Sequence, residues 1–260
     1  MDIRDFIDDT ARSIAFLSRV PVPQRHFAGH DGRLSRAVRA FPLAGVLVLL
    51  PPAALAAILS ALHAPPLLLA FATLGLQVLL TGALHEDGLS DSADGIGGGR
   101  DRERALAIMK DSRVGSYGVV ALILSFGLRA TAIAALATAL PPSGLGMALL
   151  AVAAASRTAM VWHWSLLPPA RRDGVAASVG EPERGATVFA LTSGILMATL
   201  LILPHGTMIA LVLALAAAVI AVLAFNRMAL RKIGGHTGDT IGATQQLAEM
   251  SVLFALALAL

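Results

Sequence analysis

The chain has 260 residues, of which 56% are hydrophobic and only 14% charged, and its mean hydropathy is +0.74. This composition excludes intrinsic disorder and an ordinary soluble domain, because a globule of this size could not bury so much apolar side chain. Cysteine is absent, which excludes disulfides, thiolate zinc sites and cysteine nucleophiles. The net charge of +3 forms no basic stripe with interleaved aromatics, so we expect no nucleic-acid partner. The lipid bilayer is the solvent that suits this chain.

In chain order, the first segment, 1–39, is rich in charge and begins with an amphipathic pattern. Apolar residues recur at helical spacing from Ile3 to Leu17, while four aspartates and Arg12 occupy the other face. This pattern predicts a cytoplasmic helix that lies on the membrane surface as an interfacial anchor. It is not a cleavable signal peptide, because acids run through it and no apolar stretch precedes a cleavage site.

Six apolar stretches follow, each roughly 17 to 24 residues long, which is enough for a helix to cross about 30 Å of hydrocarbon. They cover 41–62, 67–84, 116–139, 145–165, 187–203 and 207–225, and a seventh span is expected at 243–260. Continuous Leu, Ala and Val runs argue against the alternating strands of a β-barrel. We therefore predict an all-α, polytopic integral membrane protein with six to seven transmembrane helices in one catalytic domain, 1–260.

The predicted spans form hairpin pairs, because short uncharged turns join them at 62–66, 141–144 and 204–206. The charged segments 1–39, 85–114, 166–186 and 226–240 then all fall on one side of the membrane. Their Lys and Arg residues place that side in the cytoplasm by the positive-inside rule. The Pro51-Pro52 pair leaves a re-entrant first span as an alternative.

The segment 85–114 is predicted to be a cytoplasmic catalytic loop because it opens with an acidic motif. In a continued helix, Asp87, Asp91 and Asp94 lie at positions i, i+4 and i+7 on one face. Their repulsion raises their pKa values unless a hard cation such as Mg²⁺ is bound. Glu86 points about 100° away and is a candidate ligand of a second metal or a general base. A solvated acidic helix end is the alternative interpretation.

A second polar motif, 226–246, is rich in glycine before the last apolar span and is predicted to be a cytoplasmic phosphate or metal site. Glycine permits close backbone approach, and exposed amides at a helix start suit a phosphate. Asp239 is a candidate metal ligand, and His236 and Thr237 are candidate donors to phosphate oxygens. A glycine-rich turn with a capping Asp is the alternative interpretation.

Between these motifs, Lys110 and Arg113 stand just before the third span, followed by a flexible Gly-Ser corner that includes Ser116. Diphosphate binding is one interpretation of these two cations. The other is that positive residues border a transmembrane helix on the cytoplasmic side for topological reasons alone.

Two further arginines, Arg129 and Arg157, lie about midway along predicted spans. A guanidinium there costs at least about 2.5 kcal/mol on insertion scales, so both should face the interior of the helix bundle. Either could pair with Glu249, contact an acidic group of a substrate, or form a structural ion pair.

Five stretches together resemble the cobalamin synthase family, also called adenosylcobinamide-GDP ribazoletransferase. They are FLSRVPVP at 16–23, FPLAG at 41–45, GALHEDGLSDSADGIGGG at 82–99, DRERALAIMKDSRVGSYG at 101–118 and GGHTGDTIGATQQ at 234–246. The resemblance runs over nearly the whole chain in the family's order. It implies a Mg²⁺-dependent, multi-pass enzyme of the bacterial inner membrane with a cytoplasmic catalytic face. Such an enzyme joins adenosylcobinamide-GDP to α-ribazole or its 5′-phosphate, yielding adenosylcobalamin or its phosphate and GMP late in cobalamin biosynthesis.

The resemblance also assigns roles to individual residues. The implied metal ligands are Asp87, Asp91, Asp94 and Asp239. The implied catalytic residues are Glu86, Asp87 and His236. The implied phosphate contacts are Lys110, Arg113, His236 and Thr237. Ser116, Arg157 and Gln245 are further candidate substrate or phosphate contacts. The expected cofactor is Mg²⁺, and the expected partners are the corrinoid nucleotide, α-ribazole, the lipid bilayer and other cobalamin-assembly enzymes.

Two alternatives from other functional classes stay open. Another Mg²⁺-dependent membrane phosphotransferase acting on a diphosphate-linked substrate would carry a similar acidic cluster, although the D-G-x-x-A-R pattern of CDP-alcohol enzymes is absent. A transporter would place ionisable residues at the membrane midplane within repeated halves. The clustering of acids at one membrane face favours catalysis over transport.

Overall fold

A computed structural model describes residues 2–171 and 178–260, and its regular elements are helical throughout those ranges. The helices are α1 (Ile3–Leu17), α2 (Phe41–Ala61), α3 (Pro66–Thr81), α4 (Leu84–Gly98), α5 (Arg102–Ile108), α6 (Ser116–Ala139), α7 (Pro142–Leu166), α8 (Arg184–Ile202), α9 (Met208–Ile233) and α10 (Gly238–Ala259). Two short 3₁₀ turns occur at Gln24–Phe27 and Ala37–Ala40. Residues 172–177 of the charged segment 166–186 lie outside the described residues.

The described part of the chain contains six helices that are long and apolar enough to cross a membrane, namely α2 with the 3₁₀ turn before it, α6, α7, α8, α9 and α10. The predicted all-α, polytopic membrane fold is therefore confirmed. The last helix meets the criterion for a span even though it contains Glu249. Helix α2 runs without a break through Pro51 and Pro52, so the first span is not re-entrant.

The second predicted span, 67–84, differs from expectation. Helix α3 has only 16 residues, and the chain then bends by 90° into α4, which is a separate helix rather than a continuation of α3. The bend is made by Gly82 and Ala83, both in the left-handed region with φ of 65° and 60°. Because of this bend, α4 leaves the direction of the spans and carries the acidic motif across the end of the bundle.

Contacts at the two ends of the bundle agree with the hairpins predicted around the turns at 141–144 and 204–206. At one end, the backbone N–H of Leu34 donates to Val179, and that of His236 donates to Pro168. The side chain of Arg102 donates to the carbonyl of Ile233 at the same end. These contacts join all four charged segments. At the other end, the short turns at 141–144 and 204–206 lie beside the last residue of the chain.

Helices α7 and α10 form the centre of the bundle, with 83% and 67% of their apolar stretches buried, against 28–39% for the other four candidate spans. Small side chains in the run AVAAAS at 151–156 allow the neighbours of α7 to approach closely. The outer helices expose large apolar residues such as Ile123 and Ile220. This distribution is the one expected when lipid is the surrounding solvent.

Helix α1 packs its polar face against the protein. Asp9 is 1% exposed and pairs with Arg12, Arg36 and Arg39 at 3.3, 3.2 and 2.7 Å. The apolar Ile3 at the start of the helix is exposed instead. A buried polar face and an outward apolar edge agree with the predicted interfacial helix.

Candidate active site

The acidic motif and the glycine-rich motif meet where α4 crosses the start of α10. A Cβ atom placed on Gly88 would lie 2.7 Å from the carbonyl oxygen of Asp239 and 3.2 Å from the Cα atom of Gly242. Only a residue without a side chain permits such a close approach of two backbones. This crossing is what brings Asp87 and Asp239 to the same cavity, although they are far apart in the sequence.

The cavity at this crossing has a volume of about 250 Å³. Asp87, Asp239 and His85 lie in its polar wall. Its apolar wall is formed by Phe16, Leu84, Met160, Trp164, Val179 and Ile241. A larger cavity of about 350 Å³ lies between α7, α8 and α9, but none of the described residues that line it is ionisable. The smaller cavity is therefore the one that can support phosphoryl chemistry.

Asp91 is the acid of this motif whose pKa responds to the neighbouring carboxylates. Burial, and after it the negative charges of Asp87, Asp239 and Asp94, together raise the pKa of Asp91 to about 7, while Arg171 opposes the shift. The three neighbouring carboxylates are therefore close enough to Asp91 to affect its ionisation. A cation bound among them would favour the charged forms.

Asp94 has a contact that needs no metal. Its two carboxylate oxygens accept hydrogen bonds from the backbone N–H groups of Gly115 and Gly118, at 2.7 and 2.9 Å. These amides belong to the first turn of α6, where free N–H groups attract a carboxylate. Asp94 thus attaches the start of α6, and the basic segment before it, to the acidic helix. Its metal binding stays a prediction.

Asp239 stands in the first turn of α10 beside an arginine. Its carboxylate accepts from Arg171 at 3.0 Å and from the hydroxyl of Thr237 at 3.1 Å. Thr237 is also the N-cap of α10, where it forms a capping box with Thr240. The hydroxyl of Thr237 therefore donates to Asp239 and accepts from the backbone of Thr240. Phosphate binding by Thr237 stays a prediction.

The carboxylates of Asp87, Asp91 and Asp239 suit Mg²⁺ by their chemistry. All three supply hard oxygen ligands, and the raised pKa of Asp91 reflects its burial first and the neighbouring negative charges second. Within residues 2–171 and 178–260, however, no three His, Asp or Glu side chains lie close enough together to hold a metal ion as they stand. Metal binding at these residues accordingly stays a prediction.

Glu86 lies on the other side of α4, inside the helix bundle rather than in the cavity wall. Its carboxylate pairs with Arg129 at 3.1 Å and accepts from Gln246 at 3.0 Å. Arg129 in turn pairs with Glu249 at 3.2 Å. Glu86 therefore belongs to a buried network of charges, and the predicted roles as base or metal ligand have no support from its position.

The same network contains two further residues that the sequence assigned to substrate. Arg157 is 1% exposed and lies 3.6 Å from Glu249, and Gln245 donates a hydrogen bond to that carboxylate. Of the alternatives left open for Arg129 and Arg157, the structure shows pairing with Glu249. Every charge in this network has a partner of opposite sign, and the network links α4, α6, α7 and α10. Substrate contact by Arg157 and Gln245 stays a prediction.

His236 is buried beside the cavity but does not line it. Burial lowers its pKa to about 4, so the ring is neutral at pH 7. Neither ring nitrogen has a hydrogen-bond partner among the described residues. Its backbone N–H donates to the carbonyl of Pro168, and its carbonyl accepts from the backbone N–H of Ala170. The catalytic role predicted for His236 is compatible with its free nitrogens and stays a prediction.

The basic segment lies at the surface next to α4. Arg113 is exposed and pairs with Asp111 at 2.6 Å, which lowers the pKa of Asp111 to about 2. Lys110 and Ser116 are also exposed. The hydrogen bonds that Gly115 and Gly118 donate to Asp94 place this segment near the C-terminal half of α4. Phosphate binding by its residues stays a prediction.

Comparison with known proteins gives the family. The cobalamin-5-phosphate synthase family matches residues 9–257. The chain belongs to this family. The curated adenosylcobinamide-GDP ribazoletransferases of Sinorhizobium medicae and Rhizobium meliloti are 64% and 65% identical over 260 residues, which cover 100% of this chain and 99% of each relative. The adenosylcobinamide-GDP ribazoletransferase of Brucella canis is 42% identical over 264 residues, which cover 100% of this chain and 100% of that relative. No solved structure matches the chain.

Membership of the cobalamin-5-phosphate synthase family confirms the resemblance drawn from the five motifs. The structure adds three residues at the site that sequence reasoning did not single out for it, namely His85, Trp164 and Arg171. His85 stands in the acidic motif, so its position was a usable signal. Nothing local in the sequence indicates that Trp164 lines the cavity or that Arg171 pairs with Asp239, because both depend on how α7 and the segment after it pack on α10.

Proposed function

We propose that this chain is an adenosylcobinamide-GDP ribazoletransferase that requires Mg²⁺. It joins adenosylcobinamide-GDP to α-ribazole or its 5′-phosphate and releases GMP. The observation that carries the proposal is the α4–α10 crossing, which places the carboxylates of two separate motifs, Asp87 and Asp239, in one cavity. The names of relatives that match the full length of the chain support the same reaction.

The reaction sets clear demands on the site. A ribazole hydroxyl oxygen attacks the phosphorus on the cobinamide side of the diphosphate, the new O–P bond forms, and the bond from that phosphorus to the bridging oxygen breaks. GMP leaves with the bridging oxygen, and the proton of the hydroxyl is released into solution. The site must therefore orient two substrates and balance negative charge on the transferred phosphoryl group.

The residues of the site divide these tasks. Asp87, Asp91 and Asp239 would hold Mg²⁺, which when bound neutralises phosphate charge. Arg171, which pairs with Asp239, adds a fixed positive charge at the same place. The buried network around Glu86 keeps α4 in position without contacting substrate.

The location of the enzyme follows from the same proposal. The charged end of the bundle carries the site, and its Lys and Arg residues favour the cytoplasmic side of the bacterial inner membrane. GDP-linked substrate and Mg²⁺ are both available there. The interior charges do not suggest a transport pathway, because Glu86, Arg129, Arg157 and Glu249 are paired with one another.

The test is turnover by detergent-purified protein given adenosylcobinamide-GDP, α-ribazole and Mg²⁺. We expect GMP and a corrinoid product in equal amounts, no product in EDTA, and recovery when Mg²⁺ is restored. Asp87→Asn should abolish turnover, whereas Asp31→Asn, on an exposed loop, should not change it. Folded wild-type protein that forms no product would refute the reaction, and full activity in EDTA would refute the metal requirement.

A further inference from the structure

The cavity at the α4–α10 crossing has two walls of different chemistry. One wall carries the carboxylates of Asp87 and Asp239, and the other lining side chains are mostly apolar and partly aromatic. A phosphate or a metal ion needs only the first wall. The second wall calls for a ligand that also has an apolar, flat part.

The apolar wall is a rigid aromatic cluster. The ring of Phe16 stacks on that of Phe41 with centroids 6.0 Å apart, and Phe41 contacts the ring of Trp164 at 6.3 Å. Phe16 and Trp164 both line the cavity, while Phe41 supports them from behind. Because these rings hold each other in place, they form a preorganised surface for a planar aromatic group.

Two polar groups in the cavity wall have no partner among the described residues. His85 is 1% exposed, and both of its ring nitrogens are free of hydrogen bonds. The indole N–H of Trp164, also 1% exposed, is likewise unpaired. Buried polar groups are normally hydrogen-bonded, so these atoms indicate a ligand that supplies hydroxyl groups or acceptor atoms.

The volume limits the size of that ligand. About 250 Å³ lies below the usual range for a site that encloses a drug-sized molecule. A riboside with one bicyclic base is of suitable size, whereas a corrin macrocycle is much too large. The corrinoid must therefore stay outside this cavity, with only its diphosphate reaching the acidic wall.

We propose that this cavity is the acceptor subsite, which binds α-ribazole. The benzimidazole base lies against Phe16 and Trp164, and the ribose forms a hydrogen bond with His85. The inference rests on the proposed function and extends it by assigning a place to one of the two substrates. In this orientation the ribose hydroxyls point to Asp87 and Asp239, where the diphosphate of the donor is expected. The apolar part of the acceptor is thereby kept away from water.

The two tryptophans of the chain offer a direct binding test. Trp164 lines the acceptor cavity, whereas Trp162, two residues earlier on α7, lines the separate apolar cavity between α7, α8 and α9. Trp162→Phe leaves Trp164 as the sole tryptophan, and Trp164→Phe leaves Trp162. We expect α-ribazole, added without donor, to change the emission of the first variant in a saturable way and to leave that of the second unchanged. Excitation at the red edge of the indole band avoids absorption by benzimidazole.

Kinetics provide the second readout. His85→Asn and Trp164→Phe should raise KM for α-ribazole by at least tenfold and change KM for adenosylcobinamide-GDP by less than twofold. Trp162→Phe is the matched control and should change neither. Variants that raise KM for the donor instead, or a Trp164 emission that does not respond to α-ribazole in active protein, would overturn the subsite.

The outcomes also separate this inference from the proposed function. Protein that binds α-ribazole at Trp164 but releases no GMP would refute the transferase reaction and support the subsite. Protein that releases GMP while His85→Asn and Trp164→Phe keep the wild-type KM for α-ribazole would support the reaction and refute the subsite.

Discussion

Replacing Gly88 by alanine should inactivate the protein by separating α4 from α10. The added Cβ would lie 2.7 Å from the carbonyl oxygen of Asp239, about 0.7 Å short of the 3.4 Å at which ordinary contact begins. The opposing atom is backbone, so no side-chain rotation relieves the clash and the helices must move apart. Because a displacement of about 1 Å at a reacting group can cost about 100-fold in rate, we expect Gly88→Ala to lower GMP release by at least tenfold.

Two further substitutions of the same kind make the prediction quantitative. A Cβ on Gly242 would lie 3.4 Å from the carbonyl oxygen of Leu84, an ordinary contact, and one on Gly127 would meet no atom within 4 Å. Gly242→Ala should therefore lower the rate only slightly, and Gly127→Ala should keep it or gain up to about 1 kcal/mol of stability from helix propensity. The measurements are GMP release at saturating substrate and the melting temperature in detergent. Wild-type values for Gly88→Ala, or equal damage from all three changes, would refute the crossing as the element that positions the site.

Three other predictions follow from the site. Because the pKa of Asp91 is raised to about 7 in the metal-free protein, protons compete with Mg²⁺ below that pH. The Mg²⁺ concentration for half-maximal rate should then rise about tenfold per pH unit below pH 7, and a pH-independent requirement would contradict this. Glu86→Gln should destabilise the protein by about 3 kcal/mol, because Arg129 loses one of its two carboxylates, whereas Asp87→Asn should keep the melting temperature of the wild type. An unchanged melting temperature for Glu86→Gln would return that residue to the candidates for chemistry. Asp94→Ala should cost about 1 kcal/mol by uncapping α6 and speed hydrogen exchange of its first-turn amides, and unchanged exchange would rule out this capping role.

The sequence by itself determined the class of the protein, its family and its spans apart from the second, where the short α3 bends into α4. Whether a helix can cross a bilayer depends on the length and composition of one continuous segment, so the spans can be predicted without knowing their neighbours. The uncharged turns and charged segments determined which ends of the helices meet, because charge is costly in hydrocarbon. The shared face of Asp87, Asp91 and Asp94 likewise follows from the period of a single helix, and α4 preserves it.

Only the tertiary structure decided what each side chain faces. The helical period predicted that Glu86 points away from Asp87, but it did not predict the ion pair of Glu86 with Arg129 inside the bundle. It placed Asp94 with the other acids, but not against the first-turn amides of α6. The 90° bend after α3 and the contact of Gly88 with α10 likewise depend on residues distant in sequence. The period of a helix determines the direction of a side chain, whereas the partner that it meets depends on how separate helices pack.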